Sequence, residues 1–294
     1  FTLPSIHLFP INFMKSKHII QILLIAATFA LLYWSTLKDL IGDWFINPNF
    51  SHGFLIPFVA GYMVWYRQNH LRQIPCKSSI SGIFIIIFGM MIYMAGNLGA
   101  EFFLMRTSMI ITLAGIIAFS FGTAMLKALI VPLIYLIMMI PIPAIIWNKI
   151  AFPLQLFAAR ISSETISMVG IPVFREGNIL HLANTSLEVV DACSGIRSLT
   201  SLLALTGAFA FLSHVSQWKK WVLFLSAVPI AVATNVVRLT ITGMLAAWVG
   251  PEAAHGFLHD MSGLIVFGTG QGLVYLLFIL LTKIGKKARN TSDN

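Results

Sequence analysis

Cys193 is the residue whose surroundings best suit covalent chemistry. It lies in the run Asp191-Ala192-Cys193-Ser194-Gly195-Ile196-Arg197, directly before a long apolar segment. A helix that starts here would place the thiol beside free N–H groups and the positive end of the helix dipole. That position favours the nucleophilic thiolate, and the same N–H groups could stabilise an oxyanion. Gly195 permits close approach of a substrate backbone. The alternative is an inert thiol, because membrane helices often contain an idle cysteine.

Arg238 is a cation within an apolar segment, in the run Asn235-Val236-Val237-Arg238. A charge at such a position costs about 3 kcal/mol on insertion scales, so it indicates a functional site. Counted from Lys220 at 1.5 Å per residue, Arg238 lies about 27 Å along the predicted helix, with Asn235 one turn below. The guanidinium is then level with Cys193. The alternative is that it extends to the lipid headgroups.

Two histidines lie in the run His255-Gly256-Phe257-Leu258-His259-Asp260, before the last apolar segment. Their spacing would suit a metal on a helix, but no third ligand follows and Gly256 weakens the helix, so we predict no metal and no cofactor. A histidine is the natural base beside a cysteine. Cys, His and Arg on one face predict acyl transfer, with attack by the thiolate, proton movement by His and charge stabilisation by Arg.

The composition requires a membrane to position these residues. Of 294 residues, 58% are hydrophobic and only 10% are charged, and the mean hydropathy is +0.87. A soluble domain carries about 25% charged residues, so a soluble globular protein and a disordered chain are both excluded. The two cysteines can form one disulfide at most, so no disulfide framework exists.

The apolar pattern predicts an all-α, polytopic membrane helical bundle with about eight transmembrane helices. The outer stretch 146–195 begins with an amphipathic part, 146–169, that would lie along the interface. It continues with short strands and Gly/Asn turns, which predict a small outer β-hairpin before the Cys193 helix. The eight segments are residues 19–36, 52–66, 80–97, 103–122, 126–145, 196–213, 220–249 and 261–282.

The net charge of +9 separates by side when the eight segments alternate from an inner amino terminus. The inner segments carry twelve cations and one acid, and the outer segments carry seven cations and nine acids. The positive-inside rule therefore predicts a multi-pass protein of the cytoplasmic (inner) membrane with both termini cytoplasmic and Cys193, Arg238 and His259 on the outer side. The excess charge reports orientation and does not indicate nucleic acid. Cys76 falls on the inner side, too far from Cys193 for a disulfide.

The chain divides into three parts. Residues 1–18 form an amino-terminal segment, and the basic start at Met14 predicts that residues 1–13 lie upstream of the natural start. Residues 19–283 form the transmembrane domain, whose first helix has no clean cleavage site after it and is read as retained. Residues 284–294 form a basic cytoplasmic tail.

At these motifs the sequence resembles the exosortase family, membrane transpeptidase-like enzymes paired with PEP-CTERM sorting signals, with archaeosortases as relatives. The early stretch Asn47–Pro57 looks like the loop and second-helix signature, and Ala192–Leu199 looks like the nucleophile motif. Asn235–Arg238 looks like the arginine motif, and Leu258–Gly263 looks like the histidine motif. The ordered set, within residues 19–283, is more specific than any one motif.

The resemblance implies a Cys193–His259–Arg238 site, with His259 preferred to His255 because it precedes Gly263 at the start of the last helix. The implied substrates are exported proteins with a C-terminal signal made of a motif such as Pro-Glu-Pro, a hydrophobic helix and a basic tail. Cleavage would form a thioester on Cys193 and pass the acyl group to water or an acceptor. The supporting or substrate-binding residues would be Ser194, Gly195, Asn235, Asp191 and His52.

Two other functions compete with this prediction. Arg238 could bind an anionic solute in a transporter or channel, and prolines at positions 132, 141 and 143 could break helices as transporters do. Against it, no half of the sequence repeats and the polar residues gather at one surface. The chain could also be a non-catalytic membrane subunit of a polysaccharide export system. The bilayer is a partner in every case, and the oligomeric state stays open.

Overall fold

The computed structural model describes residues 16–183, 185–189, 196–250 and 257–292, with the backbone alone at 16–22, 196–197, 257–262 and 285–292. Over these residues the chain is mainly helical, with two 3₁₀ helices at Pro48–Phe54 and Ile137–Met139. The α-helices are α1 (Ser16–Leu32), α2 (Trp34–Ile46), α3 (Leu55–Tyr66), α4 (Gln68–Leu71), α5 (Ser81–Leu98), α6 (Phe102–Phe121), α7 (Thr123–Leu136), α8 (Ala144–Met168), α9 (Ile196–Leu212), α10 (Gln217–Trp248) and α11 (Phe257–Ser292).

The predicted all-helical membrane bundle is confirmed. Among the described residues, α5, α6, α10 and the 263–284 part of α11 are long and apolar enough to cross a membrane. The count rises to six if α1 with α2, bent by 67°, and α7 with α8, bent by 82°, are each one span. The sequence predicted about eight. The two predicted segments that are not counted are those of α3 and α9, which have 12 and 17 residues. These helices are about 18 and 26 Å long, shorter than a hydrocarbon core of about 30 Å.

The stretch after α8 forms a three-stranded antiparallel sheet, so the predicted hairpin gains a further strand. Its strands are β1 (Val173–Glu176), β2 (Ile179–Leu182) and β3 (Thr185–Glu188), in the order β1-β2-β3. Leu180 and Leu187 face each other in the register and pack, buried, with Ile166 of α8 and Leu239 of α10. This apolar cluster fixes the sheet across α8 and α10.

α8, the helix predicted to lie along the interface, packs closely on α10. The Ser162 hydroxyl donates to the Val236 carbonyl oxygen at 3.2 Å. Ala158 and Ala159 of α8 are buried in the same cluster as the sheet leucines. Small side chains at these positions let the two helix backbones approach.

One end of the bundle, which we call the basic end, is defined by contacts among helix termini and turns. The Arg67 guanidinium lies 4.2 Å from the centre of the Phe211 ring, and the Tyr66 hydroxyl is hydrogen-bonded to His214 Nε2 at 2.9 Å. Lys220 Nζ donates to the Phe211 carbonyl oxygen at 3.1 Å, and Lys219 Nζ donates to that of Leu281. The ends of α3 and α9, the start of α10 and the last third of α11 therefore meet here.

The opposite end, which we call the motif end, follows from these helix directions. α3 and α9 both run toward the basic end, so the first 3₁₀ helix, before α3, and the start of α9 both lie at the other end. α10 runs away from the basic end and α11 returns to it, so the end of α10 and the start of α11 lie at the motif end as well. The sheet joins them there, because Leu187 Cδ1 packs at Gly243, near the end of α10.

Candidate active site

α9, α10 and α11 pass one another closely at one level of the bundle. A Cβ added at Gly270 of α11 would lie 3.4 Å from Leu202 Cδ2 of α9 and 3.8 Å from Ile230 Cγ2 of α10. The three residues therefore share a level, from which positions along each helix can be counted.

Distances counted along the helices from this level show that three elements predicted from the sequence lie toward the motif end. At 1.5 Å per residue, Ile196 at the start of α9 lies about 9 Å toward that end, Arg238 about 12 Å and the backbone of His259 about 16 Å. The helix that follows the cysteine motif, the arginine and the histidine motif therefore lie within one layer about 8 Å deep along the helix axes.

Arg238 lies on the face of α10 that meets α9 and α11. Leu223, Ala227 and Ala231 of α10 are buried in one cluster with residues of both neighbouring helices. Arg238 follows Ala231 by seven residues, which is two turns along the same face. Asn235, one turn after Ala231, is only 1% exposed. The arginine and asparagine of the motif are thus directed between the helices rather than toward the sheet.

Several predicted site residues lie outside the described residues. They are Asp191, Cys193, Ser194 and Gly195, together with the competing histidine His255. His259 lies in α11, in the part where the structure describes the backbone alone. The pairing of Cys193 with His259 therefore stays a prediction.

His52 lies in the first 3₁₀ helix at the motif end, beside α9. Its Nε2 is hydrogen-bonded to the Met138 carbonyl oxygen at 3.2 Å, and the indole Nε1 of Trp44 donates to the next carbonyl oxygen, of Met139, at 2.9 Å. A Cβ at Gly53 would overlap the Trp44 indole. The early motif and Trp44 thus fasten the first 3₁₀ helix and α2 to the turn between α7 and α8.

An ion pair at the motif end was not singled out by the sequence analysis. Arg106 Nη2 lies 2.7 Å from Asp43 Oδ2, and the side chains are 5% and 44% exposed. The signal was present, because Arg106 is a cation within an apolar segment, as Arg238 is. Its partner is 63 positions away, on a helix whose bend brings Asp43 to α6.

Among the described residues, no further strand pairs with β3, which leaves that edge of the sheet open. The Val189 N–H donates to the Asn178 carbonyl oxygen at 2.9 Å, so the next opposing pair, Ile179 with Glu188, is not hydrogen-bonded to each other. The N–H and C=O groups of Glu188, and of Ser186 two residues before it, therefore point away from β2. Both residues are exposed. Four residues lie between Glu188 and Cys193, so β3 closely precedes the cysteine motif in the chain.

The fold and these positions define a polytopic membrane protein in which the early motif, the start of α9, Arg238 and the start of α11 lie at one end of a helical bundle. The family model described as transmembrane exosortase (Exosortase_EpsH) matches residues 44–276, most of the chain and all four motifs. The chain therefore belongs to the transmembrane exosortase family, as its motifs predicted. No curated protein and no solved structure matches it.

Proposed function

We propose that this protein is a membrane-embedded cysteine protease or transpeptidase that cleaves C-terminal sorting signals from exported proteins. The observation that carries the proposal is the convergence at the motif end of the start of α9, Arg238 on its inward face, and the start of α11. These are the elements that a nucleophile, an electrostatic stabiliser and a base would need to share.

The reaction uses the side chains in named roles. The Cys193 thiolate attacks a peptide carbonyl carbon, and Arg238 with N–H groups at Ser194 and Gly195 stabilises the oxyanion. As the tetrahedral intermediate collapses, the C–N bond breaks and the leaving amine takes a proton from the His259 imidazolium. His259 then removes a proton from water or an acceptor amine, which attacks the thioester and releases the thiolate. Asn235 and Asp191 position Arg238.

The open edge of β3 is suited to hold the substrate next to this site. An extended peptide beside β3 would receive main-chain hydrogen bonds from Ser186 and Glu188, as in strand addition to other sheets. The same edge leads within five residues to Cys193. A segment preceding the scissile bond would therefore be held straight and delivered to the thiol.

We further propose that the basic end faces the cytoplasm, so that both termini are cytoplasmic and the reaction occurs on the outer side of the cytoplasmic membrane. The clustering of Arg67, Lys219 and Lys220 at one end supports this orientation under the positive-inside rule. A membrane-impermeant maleimide added to intact spheroplasts should label Cys193 in a Cys76→Ser variant and leave Cys76 unlabelled in a Cys193→Ser variant. Labelling of Cys76 alone would reverse the orientation.

The enzymatic proposal is tested by co-expression with a protein that carries a motif–helix–basic tail signal. We expect Cys193→Ala, Arg238→Ala and His259→Ala each to abolish signal cleavage while the membrane protein accumulates normally. His255→Ala is the matched control, since it removes the neighbouring histidine and should leave cleavage intact. Normal processing by all three variants would overturn the proposal.

A further inference from the structure

We propose that the basic end carries a binding site for an anionic phospholipid, formed by the end of α3, the turn between α9 and α10, and α11. A cavity of about 290 Å³ opens there. It lies on the far side of the bundle from the motif residues, so the proposal stands independently of the reaction. Its lining residues are Phe209, Leu212, Ser213, His214, Val215, Phe278 and Thr282.

Two cations meet at the last turn of α9, the helix that also contributes Phe209 and Leu212 to the lining. Arg67 lies over the Phe211 ring at 4.2 Å, and Lys220 Nζ contacts the carbonyl oxygen of the same residue at 3.1 Å. Phe211 directly precedes Leu212 of the lining. Two like charges held on one residue raise the free energy of the empty site, and a phosphate between them would lower it.

The described side chains offer no carboxylate at this end to neutralise these cations. The acidic residues with described side chains all lie in α2, at the start of α6, in α8 or in the sheet, which are elements of the middle or the motif end. They are Asp39, Asp43, Glu101, Glu164, Glu176 and Glu188. Among the described side chains these cations therefore have no acidic counter-ion, and an external anion would supply one.

The surroundings indicate a lipid rather than a free anion. Exposed aromatic side chains surround the basic end, including Trp65, Tyr66, Trp218 and Trp221, which is the composition of a membrane–water interface. The cavity itself is lined mainly by apolar side chains, which suit the glycerol and upper acyl region. An amphiphile with a phosphate headgroup matches all three features: the cations at the end of α9, the apolar cavity lining and the exposed aromatic side chains.

The helices that form this site give the lipid a structural effect. His214, in the lining, is hydrogen-bonded to Tyr66 at the end of α3, and Phe209 packs edge-on against Phe278 of α11 with centroids 5.0 Å apart. A lipid held here would therefore contact α9 and α11 and lie next to α3. We expect it to stabilise their packing.

The experiment uses the full chain, purified in a neutral detergent, with binding read by native mass spectrometry and by thermal unfolding. Phosphatidylglycerol should remain bound and raise the unfolding temperature. Phosphatidylcholine and soluble glycerol phosphate should do neither. Equal binding of phosphatidylcholine, or stabilisation by glycerol phosphate alone, would overturn the proposal, since the first needs no net negative charge and the second needs no lipid.

Variants that remove the same charge at different positions distinguish a specific lipid site from the general attraction of an anionic lipid to positive charge. Arg67→Gln with Lys220→Gln should weaken phosphatidylglycerol binding about thirtyfold. Arg72→Gln with Lys77→Gln removes the same charge from exposed positions of the neighbouring loop and should leave it within about twofold. Equal weakening by both pairs contradicts a specific site. Thr282→Phe, which fills the cavity and keeps every cation, should also lower binding, and unchanged binding in this variant would contradict the cavity as the location.

Discussion

The two ends of the bundle use cations in different ways. At the basic end, Lys219 and Lys220 donate to main-chain carbonyl oxygens of Leu281 in α11 and Phe211 in the last turn of α9, where a cation offsets the negative end of a helix dipole. At the motif end, Arg106 and Arg238 lie within helices. Arg106 is only 4% exposed and is paired with Asp43. The two lysines at the basic end contact backbone oxygens, whereas the buried Arg106 at the motif end is paired with a carboxylate.

The ends also differ in how the chain turns. The basic end closes with short connections, such as residues 213–216 between α9 and α10. The motif end closes with two 3₁₀ helices, a bend of 82° and a sheet. Irregular elements of this kind direct polar groups inward instead of along a helix axis. The comparison supports a packing role for the basic end, and the proposed reaction would take place at the motif end.

The largest effect is expected when a cation is removed from the motif end. Arg238→Gln should lower the rate of signal cleavage by about 10²- to 10³-fold, because the oxyanion loses its charged partner. Arg72→Gln, an exposed cation near the basic end, should change the rate less than about twofold. The rate is measured from the cleaved product in isolated membranes. Similar cleavage rates for the two variants would show that the two ends of the bundle do not differ in function.

The next effect concerns the buried ion pair. Asp43→Ala should lower the free energy of unfolding by about 2–3 kcal/mol, because Arg106 is left buried and uncompensated. The double variant with Arg106→Met should regain most of that loss. Glu164→Ala breaks the exposed pair with Arg160 and should cost about 0.5 kcal/mol or less. Denaturation in mixed micelles measures all three, and equal losses for Asp43→Ala and Glu164→Ala would show that burial is unimportant.

A smaller effect is expected at the early motif. Gly53→Ala should destabilise the protein by about 1–3 kcal/mol, because the new methyl group overlaps the Trp44 indole and disturbs its hydrogen bond to Met139. Gly61→Ala, where a Cβ meets nothing within 4 Å, should instead stabilise α3 by up to about 1 kcal/mol. The same unfolding measurement applies. An unchanged free energy of unfolding for Gly53→Ala would show that the early motif does not determine the packing of the motif end.

The smallest effect is expected at the sheet edge. Glu188→Pro removes only an N–H that points away from β2, so the sheet should persist while a substrate hydrogen bond is lost. We expect KM for a signal peptide to rise about fivefold. Glu188→Ala keeps the N–H and should leave KM unchanged. A rise in KM for Glu188→Ala alone would mean that the side chain, and not the strand edge, contacts the substrate.

Much of the fold was predictable because its signals are local. Apolar runs predicted α5, α6 and α10 to within a few residues, and α11 with an end ten residues too early. Gly177 with Asn178 predicted the turn between β1 and β2. The bend between α1 and α2 was not predictable, since these helices occupy a long apolar stretch, whereas the break between α7 and α8 falls at Pro141 and Pro143, which were named as possible helix breakers. The third strand was also only partly visible, because its ladder depends on register with β2.

The amino-acid sequence by itself determined the membrane class and the motif residues, and it predicted the separation of charge, because lipid favours apolar runs and disfavours isolated charges. Only the tertiary structure decided that the early motif contacts the turn between α7 and α8, that Arg106 has Asp43 as partner, and that Arg67 and Lys220 meet at Phe211. Each of these depends on helix direction and on contacts between residues dozens of positions apart.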